Sequence, residues 1–239
     1  MTAIQAIILA GGRGIRMGSI TQNIQKCLLP IENKPVLAHI MESLADAFEK
    51  IDLIVGVAYK AHEVKEFIDK NKPPNINSVT YVPHVLGTGG WGIYRDMKPY
   101  IHGLFVAMPG DVIALPEAYL KVVELFSSEN VEAAITLSPD IDVIDTHGVG
   151  YISNNKAIRL QWPAPEILHA DCLRDMTIWA SDQKIFDIIE KYPNPKISIG
   201  YVFMDAIKDN RLIGGHRYNL PWLHIGYPED LHKTINERY

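Results

Sequence analysis

The chain is nearly free of cysteine. Only Cys27 and Cys172 occur among 239 residues, far apart and without metal-ligand spacing. Two cysteines cannot build a disulfide framework for a chain of this length, so a reducing compartment is expected. Long apolar runs are missing as well: none approaches the roughly 18 residues of a membrane-crossing helix. The first ten residues carry no positive charge and run straight into glycines, which does not fit a secretory leader. A cytoplasmic location is therefore expected. There is no excess of basic charge, since 23 Lys plus Arg stand against 28 Asp plus Glu for a formal net charge of −5. That excludes the basic footprint of a protein that binds a nucleic acid polymer. Internal repeats and low-complexity tracts are absent too, which removes solenoids and disordered tails from consideration.

What is present is alternation. With 47% hydrophobic and 21% charged residues the composition is that of an ordinary globular chain. Ala6–Ala10 is a short continuous apolar run closed by Gly11-Gly12, the pattern of a strand buried on both faces. Pro35–Glu49 carries apolar residues at helical spacing, Ile51–Ala58 is β-rich, His62–Lys70 reads as a helix and Val79–Val82 as a strand. Leu86–Gly90 leads into a helix that ends before Pro99; Leu104–Met108 is a strand, Pro116–Phe126 an amphipathic helix and Val131–Leu137 a strand. Strands alternating with helices predict βαβ units and a Rossmann-like α/β fold, a mixed but mostly parallel sheet flanked by helices. Beyond residue 137 the pattern predicts strands at Gly148–Ser153, Ala157–Gln161, Met176–Ala180, Leu212–Tyr218 and Leu220–Ile225. It predicts helices at Asp182–Tyr192, Ser198–Asp209 and Pro228–Asn236. None of the proline-rich breaks is long enough for an interdomain linker, so one domain is expected, with a nucleotide-binding half over 1–137 and a second-substrate half over 138–239.

The segment after the first strand carries the chemistry. Leu9, Ala10, Gly11, Gly12, Arg13, Gly14, Ile15, Arg16 and Met17 form a glycine loop with two guanidinium groups, and Lys26 follows ten residues after Arg16. Glycines permit close backbone approach, successive N–H groups make an anion nest, and arginine donors suit phosphate oxygens. A dinucleotide fingerprint is excluded because Met17 stands where the third glycine belongs, and a Walker loop because no Gly-Lys-Ser or Gly-Lys-Thr follows. Phosphate binding remains the better reading over a plain glycine turn.

Leu9–Met17 followed by Gln25-Lys26-Cys27-Leu28-Leu29-Pro30-Ile31 resembles the signature of the sugar-1-phosphate nucleotidyltransferases, the NDP-sugar pyrophosphorylases. Asn33–Leu37, Leu86–Gly90, Gly110-Asp111 and Trp222–Asp230 resemble later elements of the same family, in the same order. The resemblance implies joining of an NTP to a sugar-1-phosphate, giving an NDP-sugar and pyrophosphate. The Leu-Gly-Thr-Gly-Gly form is most similar to mannose- or heptose-phosphate guanylyltransferases. It implies that Arg16 and Lys26 are catalytic, that Leu9–Gly14 with Gly87 and Thr88 hold the nucleotide, and that Asp111 holds Mg²⁺ or Mn²⁺. Base contacts in the family come from the two glycine elements; His84 lies near where a base-facing Glu or Gln is common, but a plain surface-loop histidine is the preferred reading of it. Gly148, Lys156 and Glu166 are the candidates for the sugar phosphate.

Three departures stand out. Ile15 replaces a hydroxyl residue before the loop arginine. Trp162–Glu166 has no lysine where the family carries Glu-Lys-Pro, so Glu166 from a shifted register, or Lys156 or Arg159, must supply the missing groups. His224 stands where a second metal-binding Asp is expected, either as a metal or phosphate ligand or as a hydrogen-bonded strand residue. These departures keep two alternatives open: a catalytically impaired nucleotide-sugar-binding regulator, and a nucleotidyltransferase for a phosphorylated acceptor other than a hexose. Arg16-Met17-Gly18 also resembles the molybdopterin nucleotidyltransferases, although the closing Trp222–Asp230 block does not. The chain stops soon after that block, so the C-terminal β-helix of longer relatives is not expected; a homo-oligomer through other contacts remains open.

Overall fold

Strand β1 (Ile4–Leu9) shows why this chain builds a two-sided sheet. Ala6 and Ile8 point into one buried cluster and Ile7 into another, so both faces of the strand are covered and its sequence reads as one apolar run. The same split recurs in β4 (Ile51–Val57), where Leu53 and Val55 face one layer and Ile54 the other. The computed structural model describes residues 3–86, 89–140, 148–162, 164, 171–191 and 198–234.

After β1 come the short α1 (Ile20–Asn23), a minimal hairpin of β2 (Pro30–Ile31) and β3 (Lys34–Pro35), and α2 (Val36–Ala47). Beyond β4 the chain forms α3 (Ala61–Asn71), β5 (Ile76–Pro83), α4 (Gly89–Met97), β6 (Phe105–Pro109), β7 (Val112–Ala114) and α5 (Pro116–Ser128). Next are β8 (Ala133–Ser138), β9 (Val149–Ser153), β10 (Lys156–Gln161), β11 (Leu173–Ser181) and α6 (Ile185–Ile189). Last come α7 (Ile199–Lys208), β12 (Ile213–Arg217) and β13 (Trp222–His224).

Nine strands form one sheet in the order β5-β4-β1-β6-β11-β8-β12-β10-β9. The ladders are parallel from β5 to β6 and between β8 and β12, and antiparallel elsewhere. Seven strands therefore run one way and only β10 and β11 run the other, the mixed, mostly parallel sheet expected from the sequence. Helices α2, α3 and α5 cover one face; α4, α6 and α7 cover the other. On the second face Trp179 sits edge-on to Tyr94, Phe105 and Phe203 at 5.0, 5.1 and 5.2 Å and donates its Nε1–H to the Tyr94 hydroxyl at 3.1 Å.

Several elements differ from the sequence expectation. The helix expected over Asp182–Tyr192 is regular only at Ile185–Ile189. The final helix expected over Pro228–Asn236 is a five-residue 3₁₀ turn, Pro228–His232, within the described residues. Strand β7 was not expected from the sequence; its three residues are fixed by antiparallel pairing with β13, which places Ala114 opposite Trp222 and Val112 opposite His224.

Candidate active site

β1 and β6 are parallel neighbours, and a cleft of about 480 Å³ opens beyond their carboxyl ends, where open α/β sheets place ligands. Its wall contains all of Leu9–Arg16, together with Gln25, Lys26, His84, Asp111 and Gly226. The loop is held from behind. Ala10 donates to the Gly56 carbonyl at 2.8 Å, the Tyr59 N–H reaches the Gly11 carbonyl at 3.2 Å, and Thr21 Oγ1 donates to the Gly14 carbonyl at 3.0 Å. Gln25, fully buried, donates to the carbonyls of Ala10 at 2.7 Å and Gly12 at 3.2 Å. With the carbonyls engaged in this way, the backbone N–H groups of Gly11, Gly12, Arg13 and Gly14 have no hydrogen-bond partner among the described residues. Four such donors in succession make a nest for an anion.

Glycine is required at two of these positions for different reasons. Gly14 has φ +63, a left-handed conformation that starts the 3₁₀ turn Ile15–Met17. At Gly11, a Cβ would lie 2.0 Å from His84 Cε1, so the imidazole packs directly on the loop backbone. Burial lowers the His84 pKa, which favours its neutral form in the cleft wall.

The cations are arranged around this nest. Lys26, in a 3₁₀ turn after the loop, forms an ion pair with the Asp111 carboxylate. Burial raises the Asp111 pKa, but the Lys26 charge and the neighbouring His224 outweigh it and hold the carboxyl well below the usual range. Arg13 lies over the Tyr59 ring at 5.7 Å and Arg16 over Tyr227 at 5.0 Å. Ile15, where a hydroxyl was expected, is 83% exposed and contributes to no core.

The β7–β13 ladder carries the closing segment to Asp111. His224 lies opposite Val112, the Ile225 N–H donates to the Asp111 carbonyl at 2.8 Å, and His224 Nε2 lies 3.7 Å from Asp111 Oδ2. Behind the imidazole, Arg174 on β11 contacts His224 Nδ1 at 3.3 Å and stacks on Trp222 at 4.5 Å. Arg174 was missed in the sequence, since His224 lies 50 residues further along the chain, and Gln25 was read only as part of the signature, with no role of its own.

The second-substrate candidates are less united. Gly148 borders the Trp162 indole, which lies between Gly148 and Gly200 so closely that a Cβ on either would come within 2.1 Å of it. Trp162 Nε1 donates to Asp175 at 3.2 Å. Lys156 is exposed at the tip of the β9–β10 hairpin, opposite Ser153, whereas Gln161 at the other end lies opposite Val149. The hairpin register therefore separates Lys156 from Gly148, and Lys156 does not line the Lys26–Asp111 cleft. Gly87, Thr88 and Glu166 lie outside the described residues.

Sheet, helices and cleft together have the architecture of nucleotidyltransferases. An inositol-1-phosphate CTP transferase from T. maritima superimposes with a TM-score of 0.79 over 100% of this chain and 98% of that one, at 20% identity. The chain belongs to the MobA-like NTP transferase domain family, whose model matches residues 6–196. It is 31% identical to the bifunctional protein GlmU of Methanococcus maripaludis strain S2, over 98% of this chain and 54% of that protein. It is 25% identical to a mannose-1-phosphate guanyltransferase of Schizosaccharomyces pombe, over 95% of this chain and 62% of that protein. The chain thus spans about half the length of the first of these curated relatives and under two thirds of the second. No helix among the described residues is long and apolar enough to cross a membrane.

Proposed function

We propose that the protein is a sugar-1-phosphate nucleotidyltransferase, joining an NTP and a sugar-1-phosphate into an NDP-sugar with release of pyrophosphate. The observation that carries this reading is the Lys26–Asp111 ion pair in the wall of a cleft also lined by Gly11–Gly14, whose backbone N–H groups have no hydrogen-bond partner among the described residues. GTP with a mannose- or heptose-type phosphate is the first substrate pair to test. The relatives named as GlmU and as mannose-1-phosphate guanyltransferase support the reaction class.

In this reading the nest at Gly11–Gly14 holds the triphosphate, and Arg16 neutralises the charge that builds on the departing β- and γ-phosphates. A phosphate oxygen of the sugar phosphate forms the new bond to the α-phosphorus while the bond to the bridging oxygen of pyrophosphate breaks. Lys26 leaves Asp111 and bridges the α-phosphate and the incoming phosphate, which relieves repulsion between two anions and aligns them. Asp111, kept anionic in the folded chain, fits a magnesium site that takes one carboxylate plus phosphate oxygens. Bound there, Mg²⁺ would supply charge neutralisation at the phosphates. Gly87 and Thr88 are assigned to the base by resemblance, and Gly148 to the sugar phosphate.

Pyrophosphate release from a panel of NTPs and sugar phosphates tests the proposal, and silence with every pair rejects it. Lys26→Ala should lower turnover by about 100-fold or more while the fold persists, in line with the loss of one preorganised charge at a reacting centre. Turnover equal to the parent's would remove Lys26 from the mechanism. A second reading, a phosphorylated acceptor other than a hexose, is favoured by the Trp162 indole packed on Gly148, where a sugar-binding carboxylate and lysine were expected. Efficient turnover of ordinary hexose phosphates would count against it.

A further inference from the structure

A second cavity, of about 670 Å³, lies apart from the cleft and shares no described residue with it. It sits where the sheet closes on itself. Strand β9 pairs with β11 as well as with β10, so β11, β8, β12, β10 and β9 form a ring of five ladders. The β9–β10 hairpin is pinned on two sides of this ring. Gly150 lies opposite Leu173 on β11, and the Gly215 N–H on β12 donates to the Asn155 carbonyl at 2.9 Å. The hairpin turn is tight, with Asn154 at φ +48 and Asn155 at φ +59, the two left-handed residues of a two-residue loop. Strand ends and turns supply the cavity wall. Arg217 ends β12, Asp171 precedes β11, Asn154 and Asn155 make the turn, and Arg159 lies opposite Tyr151 across the hairpin. Mouths of closed sheets are common places for small ligands.

The chemistry of this wall suits a phosphate that carries hydroxyl groups. Arg159 donates to Gln161 at 3.3 Å and lies over the Tyr151 ring at 5.7 Å, and Arg217 donates to Asn219 at 3.2 Å. Each guanidinium has five N–H donors and uses one on a neutral amide; neither forms an ion pair among the described residues. Two such groups in one cavity match the oxygens of a phosphate monoester. Asp171 brings an opposing charge to the same wall, which repels a bare anion but accepts hydrogen bonds from hydroxyl groups. The amides of Asn154 and Asn155 can donate and accept alike. We propose that the cavity binds a phosphorylated polyhydroxy compound, with its phosphate on Arg159 and Arg217 and its hydroxyl groups on Asp171, Asn154 and Asn155. Arg159, one of the candidates for the charge missing from the sugar-phosphate site, lines this cavity and not the cleft. Binding here is independent of the nucleotidyl transfer proposed above.

Isothermal titration of the full chain with glucose 6-phosphate, ribose 5-phosphate and glycerol 3-phosphate tests the site, with inorganic phosphate and glucose as the two halves of the ligand. At least one ester should bind one-to-one, and more tightly than either half. The double variant Arg159→Gln/Arg217→Gln should weaken that binding about 10-fold or more, the usual effect of losing hydrogen bonds to a charged group. Lys26→Ala, which alters the cleft, should leave it unchanged. Both arginines are exposed, so the double variant should unfold at the same temperature as the parent. Asp171→Ala should narrow the preference for the ester over inorganic phosphate about 5- to 10-fold, because it removes a hydroxyl acceptor and a charge that repels the bare anion. No binding of any ester at millimolar concentration overturns the proposal. So does undiminished affinity in the double arginine variant, which would place the ester elsewhere. A preference for the ester that Asp171→Ala leaves unchanged or widens overturns the ligand class. Pyrophosphate release from NTP and sugar-1-phosphate is a separate readout, so failure here and failure of the proposed function are told apart.

Discussion

Asp175 is a carboxyl group whose surroundings oppose its charge. It lies buried on β11, accepting from the Thr177 N–H at 2.7 Å and from Trp162 Nε1 at 3.2 Å, while its own N–H donates to the Gly148 carbonyl at 2.9 Å. Burial pushes its pKa up to about 6, against those two donors and the nearby Arg174 charge. A carboxyl with a folded pKa above its unfolded value binds its proton more tightly when folded. Its contribution to stability is thus largest at low pH and is lost as pH rises from the unfolded value, 3.8, through about 6. Asp175→Asn removes this dependence. The difference in unfolding free energy between parent and variant should change by about 2 kcal/mol between pH 4.5 and 7.5, measured by urea unfolding at both pH values. A difference that stays constant with pH would show that Asp175 titrates normally.

Strain at the scale of a strand is concentrated in the same segment. The ladder between β11 and β8 loses register between Asp175 and Trp179, and Thr177 within that irregularity has φ +57. A β-branched residue in the left-handed region costs about 1–2 kcal/mol, and alanine there costs nearly as much. Glycine does not. Thr177→Gly should therefore be more stable than Thr177→Ala by about 1 kcal/mol in chemical denaturation; equal stability would show that the bulge is not strained. The bulge itself was invisible in the sequence, because Leu173–Ser181 carries no glycine to mark it. The regular elements were legible where both faces of a strand or one face of a helix are buried: β1, β4, β6, α2, α3 and α5 all fall within a few residues of their expected spans. The glycine loop was legible for the same local reason, since the residues that form its side of the cleft, Leu9–Arg16, are one segment. The Arg174–His224 contact and the Trp162 packing on Gly148 and Gly200 were not legible. They depend on strand register between segments tens of residues apart, which the local pattern of the sequence does not carry.

Charge is distributed unevenly over the whole molecule. Residues 1–34 hold Arg13, Arg16, Lys26 and Lys34 against a single carboxylate, Glu32, so the rest of the chain carries a net −8 out of the total of −5. The cleft is a local basic region in an acidic protein, as the proposed binding of a nucleoside triphosphate requires. A nucleoside triphosphate that binds there must raise the thermal midpoint in proportion to RT ln(1 + [L]/Kd), and the gain should shrink as salt screens the phosphates. A thermal-shift screen over ATP, GTP, CTP, UTP and dTTP with Mg²⁺, repeated at high salt, reads both effects. A midpoint unmoved by every triphosphate would argue against nucleotide binding in the cleft.

The position of β11 bears on how the chain is made. Strand β8 is buried at all six residues, and its two neighbours in the sheet are β11 and β12, both later in sequence. During synthesis, β4, β5 and β6 can each join the sheet as soon as they emerge, because a partner, β1 or β4, is already present. β8 cannot. It leaves the ribosome apolar and unpaired and waits until residues 173–181 arrive and insert between it and β6. A nascent chain halted before that point exposes a bare sticky strand, so the dependence on folding helpers should be sharpest between the emergence of β8 and that of β11.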